Sequence, residues 1–430
     1  MNNKNKKTKY KRKHNRKITR KNRNLDAGKA IDAGGFGCVF RPQIKCKNSR
    51  KKEKVDGITK LMSSQDADNE WKELKNIKKV VSNIPNYENY FLLKNIELCY
   101  PNELDNDDLV SIEKCKNAFH NVGINLDQIN SNLDKFKIIN MPYGGVNLVN
   151  LISNDEIPFS KVNILLIKLL ENGIVPMNKL AFYHCDIKGQ NILYKEDNLR
   201  LIDWGISTYL EDSHLKEIPN SLSNYKIQFN SPFSRIIFNK YFDEFVFNYL
   251  DARPDLSAKN DKLFLELELM MLSFYEKYIT MTGGTGHEEF INIYLVPELF
   301  KLNSVEAPKE LNYTAILFSQ HMIKILVKYL DFKNKKVDKL AYLNDVYLKN
   351  LDVWGFIFVY IEYIINSNVE RKLKVDIANL IIKYCYSVEF SDKPINIGEL
   401  VKELKNLNSE KSRTMENNGK IVNLKKMFSI

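Results

Sequence analysis

Four polar side chains of this 430-residue chain fall close together in a pattern suited to one kind of chemistry. Asp186, Lys188 and Asn191 fall within six residues, and Asp203 lies twelve further on, in YHCDIKGQNILY (183–194) and LIDWGIS (201–207). Each type has a use. One carboxylate can accept a proton from a hydroxyl, and the ammonium can offset charge on a transferring phosphoryl group. The amide and the second carboxylate offer the hard oxygen ligands that Mg²⁺ takes and shares with phosphates. Ordinary surface does not set four such groups at these offsets between extended apolar pieces.

Two earlier features fit the same chemistry. Asp32-Ala-Gly34-Gly35-Phe-Gly37-Cys-Val39 reads as strand, glycine turn, strand, which lets backbone N–H groups approach phosphate oxygens. Lys60 follows in a short strand, and Glu70 opens a helical pattern ten residues later. A strand lysine and a helix glutamate can pair so that the ammonium is aimed at a nucleotide. Taken alone, the turn is a plain hairpin and the two charges are solvated surface.

The elements that must position these groups are legible in outline. Apolar residues at Trp71, Leu74, Ile77 and Val81 predict a helix over 68–81, and YFLLKNIELC and KFKIINM predict strands. Between them, 101–134 is polar and reads as a surface loop or insertion. Beyond Asn147 long apolar-periodic runs predict a mainly helical half, except for the extended pieces of 182–206. The expected class is α+β, with a small β-rich part at 26–146 and a large helical part at 147–430.

Composition narrows the function classes. The chain carries 65 Lys+Arg against 53 Asp+Glu, a net charge of +12. Twelve of the basic residues fall in residues 1–25 with no acid, leaving 53 against 53 in residues 26–430. The excess is thus a basic arm ahead of a neutral body. The arm suits sequence-independent attraction to polyanions, nucleic acid or acidic protein, and equally suits nuclear targeting or a merely solvated tail. At 44% hydrophobic and 11% aromatic, the body can bury a sizeable core, which excludes global disorder. The six cysteines contain no C-x-x-C pair, so neither a disulfide framework nor a zinc site is expected and a reducing compartment is the simpler reading. Leu351–Ile365 is too short and too charged to span a bilayer, and no secretory signal is expected.

On these residues the chain resembles the eukaryotic protein kinases. HCDIKGQN is similar to the catalytic loop H-R-D-x-K-x-x-N, which implies Asp186 as base, Lys188 on the γ-phosphate and Asn191 on metal. IDWG is similar to D-F-G, implying Asp203 as the main Mg²⁺ ligand. Lys60 resembles the lysine of V-A-I-K, with Glu70 as its partner. Gly34, Gly35 and Gly37 resemble the nucleotide-covering loop, Val39 the residue packed on adenine, and NMPYGGVN (140–147) the hinge. Asp352-Val-Trp-Gly355 is similar to the start of a central helix whose Asp holds the catalytic loop, and Ser231-Pro-Phe233 to a degenerate A-P-E. The resemblance implies a bilobal fold, ATP and Mg²⁺ (with Mn²⁺ as the substitute ion), and transfer to Ser or Thr of a protein substrate, Lys188 favouring Ser/Thr over Tyr. The Asn-rich composition, QFNSPF and the late DVWG together resemble divergent kinases of large DNA viruses. That implies an intracellular protein, cytoplasmic or nuclear, or one carried in a virion.

The departures are specific. Asp32 stands where the loop has its first glycine. Cys185 replaces the arginine that would pair with a phosphorylated activation segment, so activity is expected without such phosphorylation. Trp204 replaces Phe, Phe233 replaces the A-P-E glutamate, and 234–351 reads as a helical insertion. Two other readings compete: a small-molecule kinase similar to aminoglycoside or choline phosphotransferases, which share H-x-D-x-x-x-x-N followed by I-D-W, and a non-catalytic pseudokinase scaffold.

Overall fold

The computed structural model describes residues 29–34, 37–49, 56–115, 126–210, 215–219, 222, 228–256, 262–282, 286–302 and 312–408. The basic arm and Gly35 lie outside them. The fold is α+β, mainly helical with small antiparallel sheets. It divides into two compact units, one of residues up to Ala67 with Glu97–Met141, the other of Asp68–Ile96 with Pro142 onward.

The first unit is built on a five-stranded sheet in the order β1-β2-β3-β5-β4. Its strands are β1 (Lys29–Gly34), β2 (Gly37–Arg41), β3 (Gly57–Ser63), β4 (Glu97–Cys99) and β5 (Phe136–Pro142). Alternation along β2 and β3 separates two faces. Cys38, Phe40, Thr59 and Leu61 are fully buried, whereas Val39, Ile58 and Lys60 are half-buried. The buried face packs on Leu104, Ile112, Cys115 and Ile129. The polar stretch 101–134, expected as a surface loop or insertion, is in its described parts a cover for the sheet, with a capped helix at Asn106–Ser111. Its few apolar residues are widely spaced, so periodicity does not reveal that they share one buried surface.

The cysteine reading also changes. Cys38–Cys115 and Cys46–Cys99 are disulfides; the first fastens this cover to β2, and the second ties β4 to the segment that follows β2. Local spacing carries no trace of bonds across 77 and 53 residues, and the argument for a reducing compartment falls with it.

The helix α1 (Ser64–Val81) starts four residues before the expected point. Ser63 Oγ accepts the Asp66 N–H at 3.1 Å, and its hydroxyl donates to the Asp66 carboxylate at 2.6 Å, a reciprocal N-terminal cap. Ala67, Leu74, Ile77 and Val81 form its buried stripe. In the second unit, the chain after α1 runs beside a hairpin: Leu201 N–H donates to Tyr90 O at 2.8 Å. That hairpin pairs β8 (Ile192–Lys195) with β9 (Asn198–Leu201), β6 (Val146–Asn147) lies on its other edge, and β7 (Phe182–Tyr183) precedes it in the chain. The expected helical runs appear at Phe159–Leu169, Leu263–Thr282, Tyr313–Tyr329, Leu348–Phe358 and Arg371–Ile381. No described helix is long and apolar enough to cross a membrane.

Candidate active site

The loop from His184 to Asn191 is held from below by one buried carboxylate. Asp352, 1% exposed in the helix Leu348–Phe358, accepts the backbone N–H groups of His184 and Cys185, each at 2.8 Å. Cys185 has a left-handed backbone, φ 65°, a conformation that costs a non-glycine residue about 1–2 kcal/mol. Two charge-assisted hydrogen bonds offset that cost. Burial outweighs these bonds and pushes the Asp352 carboxyl up to about 6. Gly355, three residues on, permits the close approach of helix and loop. A Cβ there would stand 2.8 Å from Ile187 O.

His184 is fully buried, and both of its ring nitrogens bind the loop and its surroundings. Its Nε2 lies 3.0 Å from Ile202 O, and its Nδ1 lies 3.3 Å from the Asp186 N–H. The second contact requires Nδ1 to accept, so the ring is the neutral Nε2–H tautomer. Burial lowers its pKa in the same sense. The Cys185 thiol, pushed up by burial, sits 3.6 Å from Tyr183 O and brings no charge to the site.

Asp186, Lys188 and Asn191 meet at one oxygen. Lys188 Nζ is 2.7 Å and Asn191 Nδ2 is 3.0 Å from Asp186 Oδ2. Asn191 Nδ2 also donates to Asp186 O at 2.9 Å, which commits its nitrogen inward and leaves the amide oxygen as its remaining acceptor. The β8–β9 hairpin then returns the chain, and Ile202 N–H donates to Asn191 O at 3.0 Å. Asp203 follows directly. It is exposed and left-handed (φ 65°), and its carboxylate makes no hydrogen bond among the described residues. Trp204 behind it is buried between Phe91, Phe182 and His184, with ring centroids 5.7, 5.8 and 4.7 Å away. The larger ring is accommodated by this aromatic pocket.

A metal ion would find Asn191 and Asp203 on either side of the closed hairpin. Among the described residues no group of three or more His, Cys, Asp or Glu side chains could hold one. An amide and a single carboxylate suit an ion such as Mg²⁺, which completes its shell with phosphate oxygens and water.

In the first unit, Gly34 and Gly37 face each other across the β1–β2 turn. A Cβ on Gly37 would approach Met62 Cγ to 2.5 Å and Leu61 O to 2.8 Å, so only glycine fits. Val39 is paired in register with Lys60, and directly opposed residues in an antiparallel pair share a face. The two candidate nucleotide contacts thus share the less buried face of the sheet. Glu70 lies on α1 in the second unit.

Asn230 was not singled out from the sequence. Its Nδ2 lies 2.8 Å from Asp186 Oδ1. Its one local signal is its place in QFNSPF, next to Ser231-Pro-Phe233. The Phe233 ring is packed among aromatic groups, 4.4 Å from His287 and 5.0 Å from Tyr386. A cavity of about 870 Å³ opens elsewhere in this unit, beside the Lys339–Asp243 ion pair, and shares no residue with the Asp186 cluster.

No family model matches the chain, and no curated protein matches it. The functional reading therefore rests on the residues and their geometry.

Proposed function

We propose that the chain is a bilobal protein-kinase-type phosphotransferase that moves the γ-phosphoryl group of ATP to Ser or Thr hydroxyls of protein substrates. The observation that carries this reading is the convergence of Lys188 and Asn191 on one oxygen of Asp186. Asp186 orients the acceptor hydroxyl and takes its proton. Lys188, part-exposed beside it, offsets charge that develops on the transferring group. Asn191 and Asp203 would hold Mg²⁺, which supplies charge neutralisation at the phosphates when bound. By the resemblance, Gly34, Gly35 and Gly37 would contact the phosphates, Val39 the base, and Lys60 the α- and β-phosphates. Each group performs positioning or electrostatics, which is what this reaction requires of a protein.

The test is transfer of labelled phosphate from ATP, with Mg²⁺ or Mn²⁺, to a mixed panel of basic and acidic proteins and to a metabolite panel. Transfer to protein Ser/Thr that disappears in Asp186→Asn supports the reading. Transfer confined to aminoglycosides, choline or another metabolite would redirect it to small-molecule kinases. No transfer under any condition would leave a scaffold.

A further inference from the structure

The two oxygens of Asp186 are held by different parts of the chain. Oδ2 is held within the loop, by Lys188 and Asn191. Oδ1 is held by Asn230, 44 residues away in sequence, at 2.8 Å. Asn230 is 2% exposed, and the same Nδ2 lies 3.3 Å from Ile187 O. One amide therefore bridges the carboxylate and the backbone of the residue that follows it.

Asn230 is itself fixed from several sides. The preceding carbonyl, Phe229 O, accepts from Trp354 Nε1 at 3.2 Å. Ser231 N–H and Oγ both donate to Gln228 O, each at 3.0 Å, which closes a turn around Asn230. Its own carbonyl lies so near Gly355 that a Cβ there would be 3.1 Å away. Trp354 and Gly355 belong to the same helix as Asp352, so one helix anchors both the base of the 184–191 loop and the 228–231 turn.

Taking Asp186 as the base, as proposed above, we infer that Asn230 is a positioning residue which fixes the rotation of the Asp186 carboxylate and couples closure of the 228–233 turn to alignment of the base. Lys188 and Asn191 fix one oxygen of the carboxylate, and a donor on the other oxygen further restricts rotation about Cβ–Cγ. Errors of about 1 Å at a reacting group cost on the order of 10²-fold in rate. The coupling also describes regulation. An amide makes this bond without modification, and the preceding Cys185 is a neutral buried thiol, so the turn closes on the base with no phosphate required.

The experiment uses the full chain with Asn230→Ala, Asn230→Leu and, as reference, Asp186→Asn. Leu has nearly the shape of Asn without its donor, and unlike Asp it adds no second charge 2.8 Å from Asp186. If the donor matters, kcat for peptide phosphorylation falls about 10- to 100-fold in both Asn230 variants, Leu is no better than Ala, and the KM for ATP stays within about twofold. If Asn230 only fills space, Asn230→Leu retains clearly more activity than Asn230→Ala, and the inference is overturned. Crystal structures of the two variants give a readout without turnover. A carboxylate of Asp186 turned away from its parent orientation supports the coupling; an unchanged orientation in both overturns it. That readout decides the coupling even if Asp186→Asn keeps parental activity, which would sink the catalytic reading of Asp186 instead. Phosphatase treatment should leave parental kcat within about twofold, and a tenfold loss would overturn the phosphate-independent closure.

Discussion

Asp186 accepts donors from Lys188, Asn191 and Asn230, and its usefulness depends on the geometry these impose. Asp186→Asn keeps the shape while removing the charge, so transfer is expected to fall about 10²- to 10⁴-fold, the range for loss of a positioned base. Single-turnover rates at saturating ATP check this. Lys188→Ala should lower kcat about 10²-fold with the KM for ATP little changed, because it removes charge stabilisation rather than nucleotide affinity. Equal losses in kcat and in ATP affinity would place Lys188 on the nucleotide and not on the transferring group.

At the scale of elements, the helix Leu348–Phe358 carries buried Asp352 and packs Trp354 against two buried histidines, His287 and His321. Burial lowers His287 to about 3 and His321 to about 4. In the unfolded chain both protonate near 6.5, so their contribution is complete above that pH and is lost as pH falls towards 4. Asp352 runs the other way. Raised to about 6, it takes up a proton in the folded state first, and its titration favours folding as pH falls from 6 towards 4. Urea midpoints at pH 7 and pH 4.5 separate the two. The paired change His287→Phe with His321→Phe should reduce the acid loss, and Asp352→Asn should steepen it. A second element-level anchor is Asn163, fully buried, which donates to Leu404 O at 2.8 Å and accepts from Tyr360 Oη at 2.6 Å. Asn163→Ala leaves these buried groups unsatisfied and should cost about 1–3 kcal/mol, read from the denaturant midpoint.

The whole molecule adds two expectations. The oxidised chain, alkylated under denaturing conditions without reductant, should label only Cys185 and Cys385, the free cysteines. Reductant should expose all six and lower the stability of the first unit by about 2–4 kcal/mol per bond lost. Six labelled cysteines without reductant would remove both bonds. Deleting residues 1–25 takes away twelve cations but no member of the Asp186 cluster. Transfer to a peptide should survive, while salt-sensitive binding to nucleic acid is lost. Collapse of turnover would make the arm part of the catalytic machinery.

Much of the candidate site is local, and local order is what a sequence displays. Asp186, Lys188 and Asn191 converge because they share one tight loop, and their spacing already contains that outcome. The helices of the second half show through their apolar period, since each buries one stripe. Val39 and Lys60 follow from strand alternation once the β2–β3 pairing is known. Nothing local could reveal that Asn230 reaches Asp186 across 44 residues. The same holds for the packing of Leu104, Ile112, Cys115 and Ile129 on the back of the sheet and for the bonds Cys38–Cys115 and Cys46–Cys99. Those contacts depend on which surfaces meet after the chain has folded back on itself. Sequence by itself determined the chemistry available to this protein, whereas the tertiary structure decided which distant groups restrain it, because long-range packing, unlike a loop or a helix stripe, has no period to read.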